Sequence, residues 1–251
     1  MLADLALEVE AATALALRLA RAFEAAAETA EHALARIATP AAKYWVCKRA
    51  PMVALEAMEV LGGNGYVEEA PLARIYREAP VNSIWEGSGN VICLDVIRVL
   101  RREPSAADAL MQELHAARGA NRDLDRHVAA LADLLRESGD DGANGRRLAQ
   151  AIAVALSAAV LVRDAPAFVA DALLRNASAR RCGARRRCVR ALPSGVDAAA
   201  IVRRMQNRLT TPTLTVFAEG RLRHSRPVCG RRAVLCELPA PPRRGSSPPV
   251  G

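Results

Sequence analysis

Residues 39–66 read TPAAKYWVCKRAPMVALEAMEVLGGNGY. Ala, Leu, Met, Glu and Lys dominate this stretch and no β-branched run interrupts it, so its intrinsic preference is helical. Thr39-Pro40 has the form of a helix start. Thr caps exposed N–H groups, and proline at the first helical position gives up no hydrogen bond. Gly62-Gly63-Asn64-Gly65 has the form of a helix end, because glycine accepts the left-handed conformation in which many helices terminate. The spacing predicts a helix from Pro40 to about Leu61. Pro51 lies inside it and predicts a kink there.

The same reading extends outward. Just over half of the 251 residues are hydrophobic and only 3% are aromatic. The apolar content is mostly Ala and Leu, which points to an all-α chain. Leu5, Val9, Ala12, Ala16, Leu19 and Phe23 step by three and four along residues 2–25, as one face of a helix does. Residues 26–38 read as a polar, Ala-rich connection. Beyond the glycines, Pro71–Glu78 reads as a short helix, and Pro80 ends it. Val81–Gly87 reads as an extended loop. Ser88 then caps a helix to about Arg102, which Pro104 stops. Further helices are predicted over Ser105–Arg118, Asn121–Ser138, Asn144–Arg163, Pro166–Arg175 and Asp197–Met205. The pattern is an up-and-down helical bundle with short connections.

Three regions follow: a bundle over residues 1–103, an additional helical domain over 104–205 with an irregular stretch at 176–190, and a tail over 206–251. The tail holds seven of the fourteen prolines and ends PAPPRRGSSPPVG. Such a composition cannot bury enough apolar surface to fold, so it reads as disordered. Charge divides at nearly the same place. The net charge of +8 is the sum of −5 over residues 1–175 and +13 over 176–251. That asymmetry suggests an anionic partner or simply a basic tail.

Several classes find no support. No secretory leader pattern opens the chain, since Asp4, Glu8 and Glu10 interrupt the first apolar residues. The run Ala151–Val162 is shorter than the roughly 20 residues that span a bilayer and reads as a buried helix. The chain is therefore expected to be cytoplasmic, with no membrane partner. Six cysteines form no CxxC pair, so free thiols are expected, with neither a metal site nor a disulfide framework.

Two segments carry chemistry. In MEVLGGNGY (Met58–Tyr66), a glycine turn permits close backbone approach and can offer N–H groups to a phosphate. It also reads simply as a helix end. In RIYREAPVNSIWEGSGN (Arg74–Asn90), Glu86 stands beside Trp85 just ahead of a helix N-terminus. A carboxylate against an aromatic wall suits a general base, while the plainer reading is an acid that favours the helix dipole.

Together the segments resemble the C-terminal bundle of the acyl-CoA dehydrogenase family. That family shows a Gly-Gly-x-Gly-Tyr/Phe turn, an Arg-Tyr/Phe-Arg-Asp stretch and an aromatic-Glu-Gly-Thr-x-Gln stretch. This chain reads GGNGY, RIYRE and WEGSGN. The form VNSIWEGSGN, with KYWVCKR upstream, resembles the DNA-alkylation-response (AidB-like) branch. The matching residues run from Met1 to about Arg175 and again from Ala191 to Met205.

The resemblance implies FAD as cofactor and an acyl-CoA thioester as substrate. It gives Glu86 the role of general base. It places Gly62 and Gly63 against a flavin bound by a neighbouring subunit and Glu59 near the cofactor. Ser88 and Asn90 stand where relatives use Thr and Gln on FAD. For this branch it also implies duplex DNA as a partner, with Arg98, Arg101, Arg102, Arg180 and Arg181 as candidates and Arg185–Arg187 beside them. It implies a homotetramer. Relatives carry a further helical domain and a β-barrel domain that this sequence does not contain. The chain is therefore expected to be inactive alone and to expose apolar surface. Residues 176–190 and those after about 205 leave the family pattern, which predicts a disturbed reading frame there.

Overall fold

The computed structural model describes residues 1–25, 27–137, 144–179 and 192–210. Ten α-helices cover most of them: α1 Leu2–Glu24, α2 Thr29–Val60, α3 Gly63–Tyr66, α4 Pro71–Glu78, α5 Gly89–Arg102, α6 Pro104–His115, α7 Arg122–Glu137, α8 Gly145–Asp164, α9 Ala167–Ala179 and α10 Ala198–Thr210. No strand occurs among the described residues. The architecture is the all-α bundle expected.

Several boundaries differ from the sequence reading. Helix α2 starts at Thr29, so most of the connection expected over 26–38 is helix and Pro40 lies inside it. Ala33, Leu34, Ile37, Ala38 and Ala41 are buried on one face. An interior proline costs roughly 3 kcal/mol, and burying Leu34 and Ile37 alone returns about 1.5–3 kcal/mol each. Packing therefore overrides the break. The segment expected to be extended begins as a 3₁₀ turn, Ala79–Ser83. Helix α9 runs to Ala179 and α10 to Thr210, so the first residues of both the expected irregular stretch and the expected disordered tail are helical. Residues 180–191 and 211–251 lie outside the described residues.

Local chemistry explains some helix ends. Asn121 Oδ1 accepts from the N–H groups of Asp123 and Leu124 at 2.9 and 3.1 Å and caps α7. Asp197 Oδ1 accepts from Ala200 N at 2.9 Å ahead of α10. Pro104 opens α6 as well as ending α5.

Helix α8 is the hub. Leu148, Ala149, Ile152, Ala153, Ala155, Leu156, Ala158 and Ala159 are all essentially buried. By length and composition this helix could cross a membrane, but most of it is covered by the bundle. It packs against α1, α2, α5, α7 and α9. The main core joins Leu15, Ile37 and Val96 to Leu110, Leu124 and Leu156. It therefore runs across the α5–α6 junction at residue 104 without a break. A second cluster joins Leu7 and Ala11 of α1 to Leu161, Val169 and Ile201, and seats α10 on the bundle.

Ionic contacts tie helices distant in sequence. Arg18 of α1 donates to both carboxylate oxygens of Glu31 at 2.8 Å and to both of Glu113 at 2.9 Å. Arg163 of α8 also reaches Glu113, at 2.7 Å. Burial pushes the Glu113 carboxyl up, but Arg18 and Arg163 outweigh it and hold the group below the usual range. At the other end of α1, Arg49 pairs with Glu8 and lies over the Trp45 ring, 4.5 Å from its centroid.

Replacing Arg18 with Met leaves the half-buried Glu31 without this partner and Glu113 with Arg163 alone. The Arg18→Met substitution is expected to lower stability at pH 7 by about 3–5 kcal/mol in urea unfolding. Because the folded carboxyl of Glu113 titrates below its unfolded value, its contribution is complete above the unfolded pKa and fades as pH falls through the folded one. The gap between variant and wild type should accordingly narrow on acidification below about pH 4.

Candidate functional site

The two segments singled out in the sequence stand at opposite ends of the C-terminal half of α2. The glycine turn follows its last residue, Val60. The segment around Glu86 is held at Lys43. Seventeen residues of helix separate these points, about 26 Å at 1.5 Å per residue. One copy of the chain therefore does not bring Glu59, Gly62 and Gly63 together with Glu86, Ser88 and Asn90.

At the first station, Gly62 adopts φ 57°, ψ −140°, a conformation open essentially to glycine. Its N–H donates to Glu59 O at 3.0 Å, so it is not free for a ligand. Gly63 is exposed and a Cβ there would meet nothing within 4 Å. Gly65 is the reverse case: it is buried, and a Cβ would lie 2.3 Å from Met58 O. The turn is thus folded back on the end of α2, with its Gly62–Gly63 edge open. Glu59 is exposed beside it. Arg77 of the RIYRE stretch donates to both oxygens of Glu68, at 2.6 and 2.8 Å, and holds that carboxyl below its usual range.

At the second station, Glu86 is exposed and has φ 56°. It is the one non-glycine residue with positive φ among the described residues. Gly87 follows at φ 113°. Lys43 Nζ donates to Trp85 O at 2.9 Å and to Gly87 O at 2.6 Å. The turn is therefore bound to α2 on both sides of Glu86. Gly89 opens α5 directly on α2, where a Cβ would sit 2.6 Å from Lys48 Cε and 3.5 Å from Tyr44 Cδ2. Ser88 occupies the cap position of α5, but its side chain makes no capping bond. Asn90 Oδ1 accepts from Arg146 Nε of α8 at 2.7 Å. The aromatic wall expected beside Glu86 is not assembled within one chain, since Trp85 is 60% exposed. Nearby, burial pushes the Cys93 thiol up to about 11, with Arg146 and Lys48 pulling the other way.

The sequence assigned no role to Arg146, or to Lys43 beyond its place at the head of the KYWVCKR stretch. Lys43 is a single cation inside the apolar run Ala-Ala-Lys-Tyr-Trp-Val, the one local hint. Its partners lie 42 and 44 residues away. The arginines considered for DNA are placed unequally. Arg98 pairs with Asp95 at 2.9 Å, and Arg36 takes the same carboxylate at 3.1 Å. Arg101 and Arg102 lie exposed in the last turn of α5. Arg180, Arg181 and Arg185–Arg187 fall outside the described residues, as do four of the six cysteines. Cys47 and Cys93 are free thiols.

Exposed apolar side chains gather around both stations. Tyr66, Ile84, Trp85 and Val91 are more than half exposed, and Leu61, Ile75, Tyr76, Val81 and Leu94 add to them. Among the described residues, no large hydrophobic side chain beyond Leu94 is exposed. Earlier in the chain, Val9, Leu17 and Phe23 of α1 are exposed as well, so the uncovered apolar side chains all lie before residue 95.

Residues 1–101 match the family described as acyl-CoA dehydrogenase, C-terminal domain. AidB of Escherichia coli (strain K12), which carries an acyl-CoA dehydrogenase name, is 49% identical over 141 residues, covering 56% of this chain and 26% of AidB. Acyl-CoA dehydrogenase family member 11 of Caenorhabditis elegans is 42% identical over 69 residues, covering 28% of this chain and 11% of that protein. The crystal structure of Caenorhabditis elegans ACDH-11 in complex with C11-CoA superposes with a TM-score of 0.62 at 21% identity, over 82% of this chain and 39% of that one. The chain thus spans about a quarter of the length of AidB.

The glycine geometry makes a graded test. Gly63→Ala is expected to change stability by no more than about 0.5 kcal/mol. Gly65→Ala, which drives a Cβ into the Met58 carbonyl, is expected to cost about 1–3 kcal/mol. Thermal unfolding followed by circular dichroism checks both.

Proposed function

From a chain whose first 101 residues are an acyl-CoA dehydrogenase C-terminal domain of the AidB-like branch, we propose that it is the flavin-facing helical part of an acyl-CoA dehydrogenase-type flavoprotein. Glu86 is its proton-abstracting residue. The observation that carries this reading is the Glu86 turn. It presents an exposed carboxylate, in a conformation that glutamate rarely adopts, at the seat of α5 on α2. Strained residues held by their surroundings are typical of functional positions.

The residues present suit a flavin. Gly62 and Gly63 form an exposed edge with no neighbour that a close ligand would strike. Glu59 lies beside that edge. Ser88 and Asn90 are exposed at the start of α5, where unpaired N–H groups favour anions and polar oxygens. When bound, FAD supplies the hydride acceptor for α,β-dehydrogenation of a thioester. Glu86 takes the α-proton, which a carboxylate does once a substrate places that carbon within hydrogen-bond reach.

The separation of the stations along α2 supports a shared arrangement. Glu86 with Ser88 and Asn90 serves one flavin, and the Gly62–Gly63 edge serves the flavin of a neighbouring copy, as in a homotetramer. The bare apolar face around both stations supports the further reading that this chain is not a competent dehydrogenase alone. The alternative, a DNA-binding module that responds to alkylation damage, has less behind it among the described residues. Arg98 is already engaged by Asp95, leaving the exposed end of α5 as its footing.

Titration of the chain with FAD, followed by flavin fluorescence, tests the proposal. Saturable quenching is expected, weakened at least about tenfold (about 1.4 kcal/mol) in Gly63→Val, a variant with open space for the new side chain. A helical, soluble sample that leaves flavin fluorescence unchanged would overturn it. Duplex DNA binding that falls steeply with salt and is lost in Arg101→Glu/Arg102→Glu would favour the alternative.

A further inference from the structure

We propose that Lys43 is the positioning residue of the Glu86 turn, its ammonium holding Glu86 in the left-handed conformation by donating to the carbonyls on either side. The inference rests on Glu86 being the proton-abstracting residue. It adds the group that keeps this carboxylate in place, on a different helix and 43 positions earlier in the chain.

The need for such a group follows from the backbone. A left-handed conformation is unfavourable for a residue with a Cβ, and glutamate lacks the short polar side chain with which asparagine or aspartate eases it. It persists only when the surroundings enforce it. Here the chain is fixed on both sides. Before the turn, the N–H groups of Ile84 and Trp85 both donate to Val81 O, at 2.9 and 3.1 Å. After it, Gly89 is packed against the Lys48 side chain and the Tyr44 ring of α2. Between these anchors the peptide reverses, and the carbonyls of Trp85 and Gly87 converge on one point. Two carbonyl oxygens directed at one point repel each other. A cation between them turns that repulsion into two charge-assisted hydrogen bonds.

Lys43 meets this requirement. Its side chain is half-buried on α2, and no carboxylate among the described residues forms an ion pair with it. Its donors go to Trp85 O and Gly87 O. An ammonium offers three donors and no acceptor, so two convergent carbonyls suit it. Gly87 contributes by taking φ 113°, which leaves Glu86 as the strained member of the pair. The other cations nearby are placed differently. Lys48 lies against Gly89, and Arg146 is bound to Asn90. Neither substitutes for Lys43 at these carbonyls.

The test reads the turn itself, so a failed clamp is distinguishable from a failed flavin site. A glutamate-specific protease cuts after Glu86 only when the turn opens, with cleavage after exposed Glu59 as internal reference. Lys43→Met is expected to speed the cut after Glu86 by about tenfold or more, since opening no longer breaks two charge-assisted bonds. Lys43→Arg, which keeps a charged fork of donors, is expected to restore most of the protection. An unchanged rate in Lys43→Met, or a rise that affects Glu59 equally, overturns the proposal. Should Lys43→Met lose its helical structure, the carbonyl ¹³C shifts of Trp85 and Gly87 in the wild-type chain decide the matter. Downfield shifts that move on Lys43→Arg substitution support the clamp, and shifts matching solvent-exposed carbonyls overturn it.

Discussion

One face of α2 is buried in the main core, and the positions of the glycine turn and of the Glu86 turn follow from that burial. Helix α2 runs 32 residues through two prolines, which its backbone alone would not favour. What keeps it whole is the burial of Ala33, Leu34, Ile37, Ala38 and Ala41 in the core that α2 shares with α1, α5, α6 and α8. The apolar area removed from water there outweighs the hydrogen bonds given up at Pro40 and Pro51. With α2 fixed, its C-terminal end sets the glycine turn, and Lys43, Tyr44 and Lys48 set where α5 begins. The ionic contact among Arg18, Glu31, Glu113 and Arg163 adds a second tie, in which the carboxylates are matched closely enough to be tolerated out of water.

Close packing in one part of the molecule coincides with open surface in another. Beyond Leu94 the described helices cover their apolar side chains, whereas residues 60–94 leave theirs uncovered. A bundle that needed only to be stable would not leave tyrosine, isoleucine and tryptophan uncovered through one stretch of chain. That stretch carries the open glycine edge and the Glu86 turn. The coincidence is what gives the functional reading its weight: the residues whose backbones are unusual are also those whose neighbourhood is incomplete.

The sequence revealed the architecture better than the contacts. Helix content followed from the Ala- and Leu-rich composition and from the three–four spacing of Leu5, Val9, Leu19 and Phe23, although the face of α1 that is buried is that of Leu7, Ala11, Leu15 and Ala22. Asn121 and Asp197 marked helix starts because capping is a local interaction that a few residues encode. The start of α2 was misread for the opposite reason. Thr39-Pro40 carries a strong local signal for a helix beginning, and only the burial of residues 33–38, a property of the whole bundle, overrules it. Likewise Glu86, Gly62 and Gly63 were visible as motif residues, while their separation along α2 was not. Their closeness in sequence, about 25 residues, hides a helix axis that carries them apart.

The same limit explains Lys43. A cation that serves a neighbouring backbone leaves almost no trace in its own local sequence, since carbonyls are supplied by any residue type. The sequence shows only an apolar helix face with one lysine in it, and that ordinarily means a side chain reaching out to water. What distinguishes the two cases is strain at the far end of the contact. A turn that glutamate would not adopt by itself requires a stabilising group from elsewhere, and the convergence of two carbonyls fixes the chemical type of that group as a cation with several donors. The strained residue and the unexplained cation thus identify each other. Neither is informative alone, and together they account for how an exposed carboxylate can be kept in one place on the surface of a helical bundle.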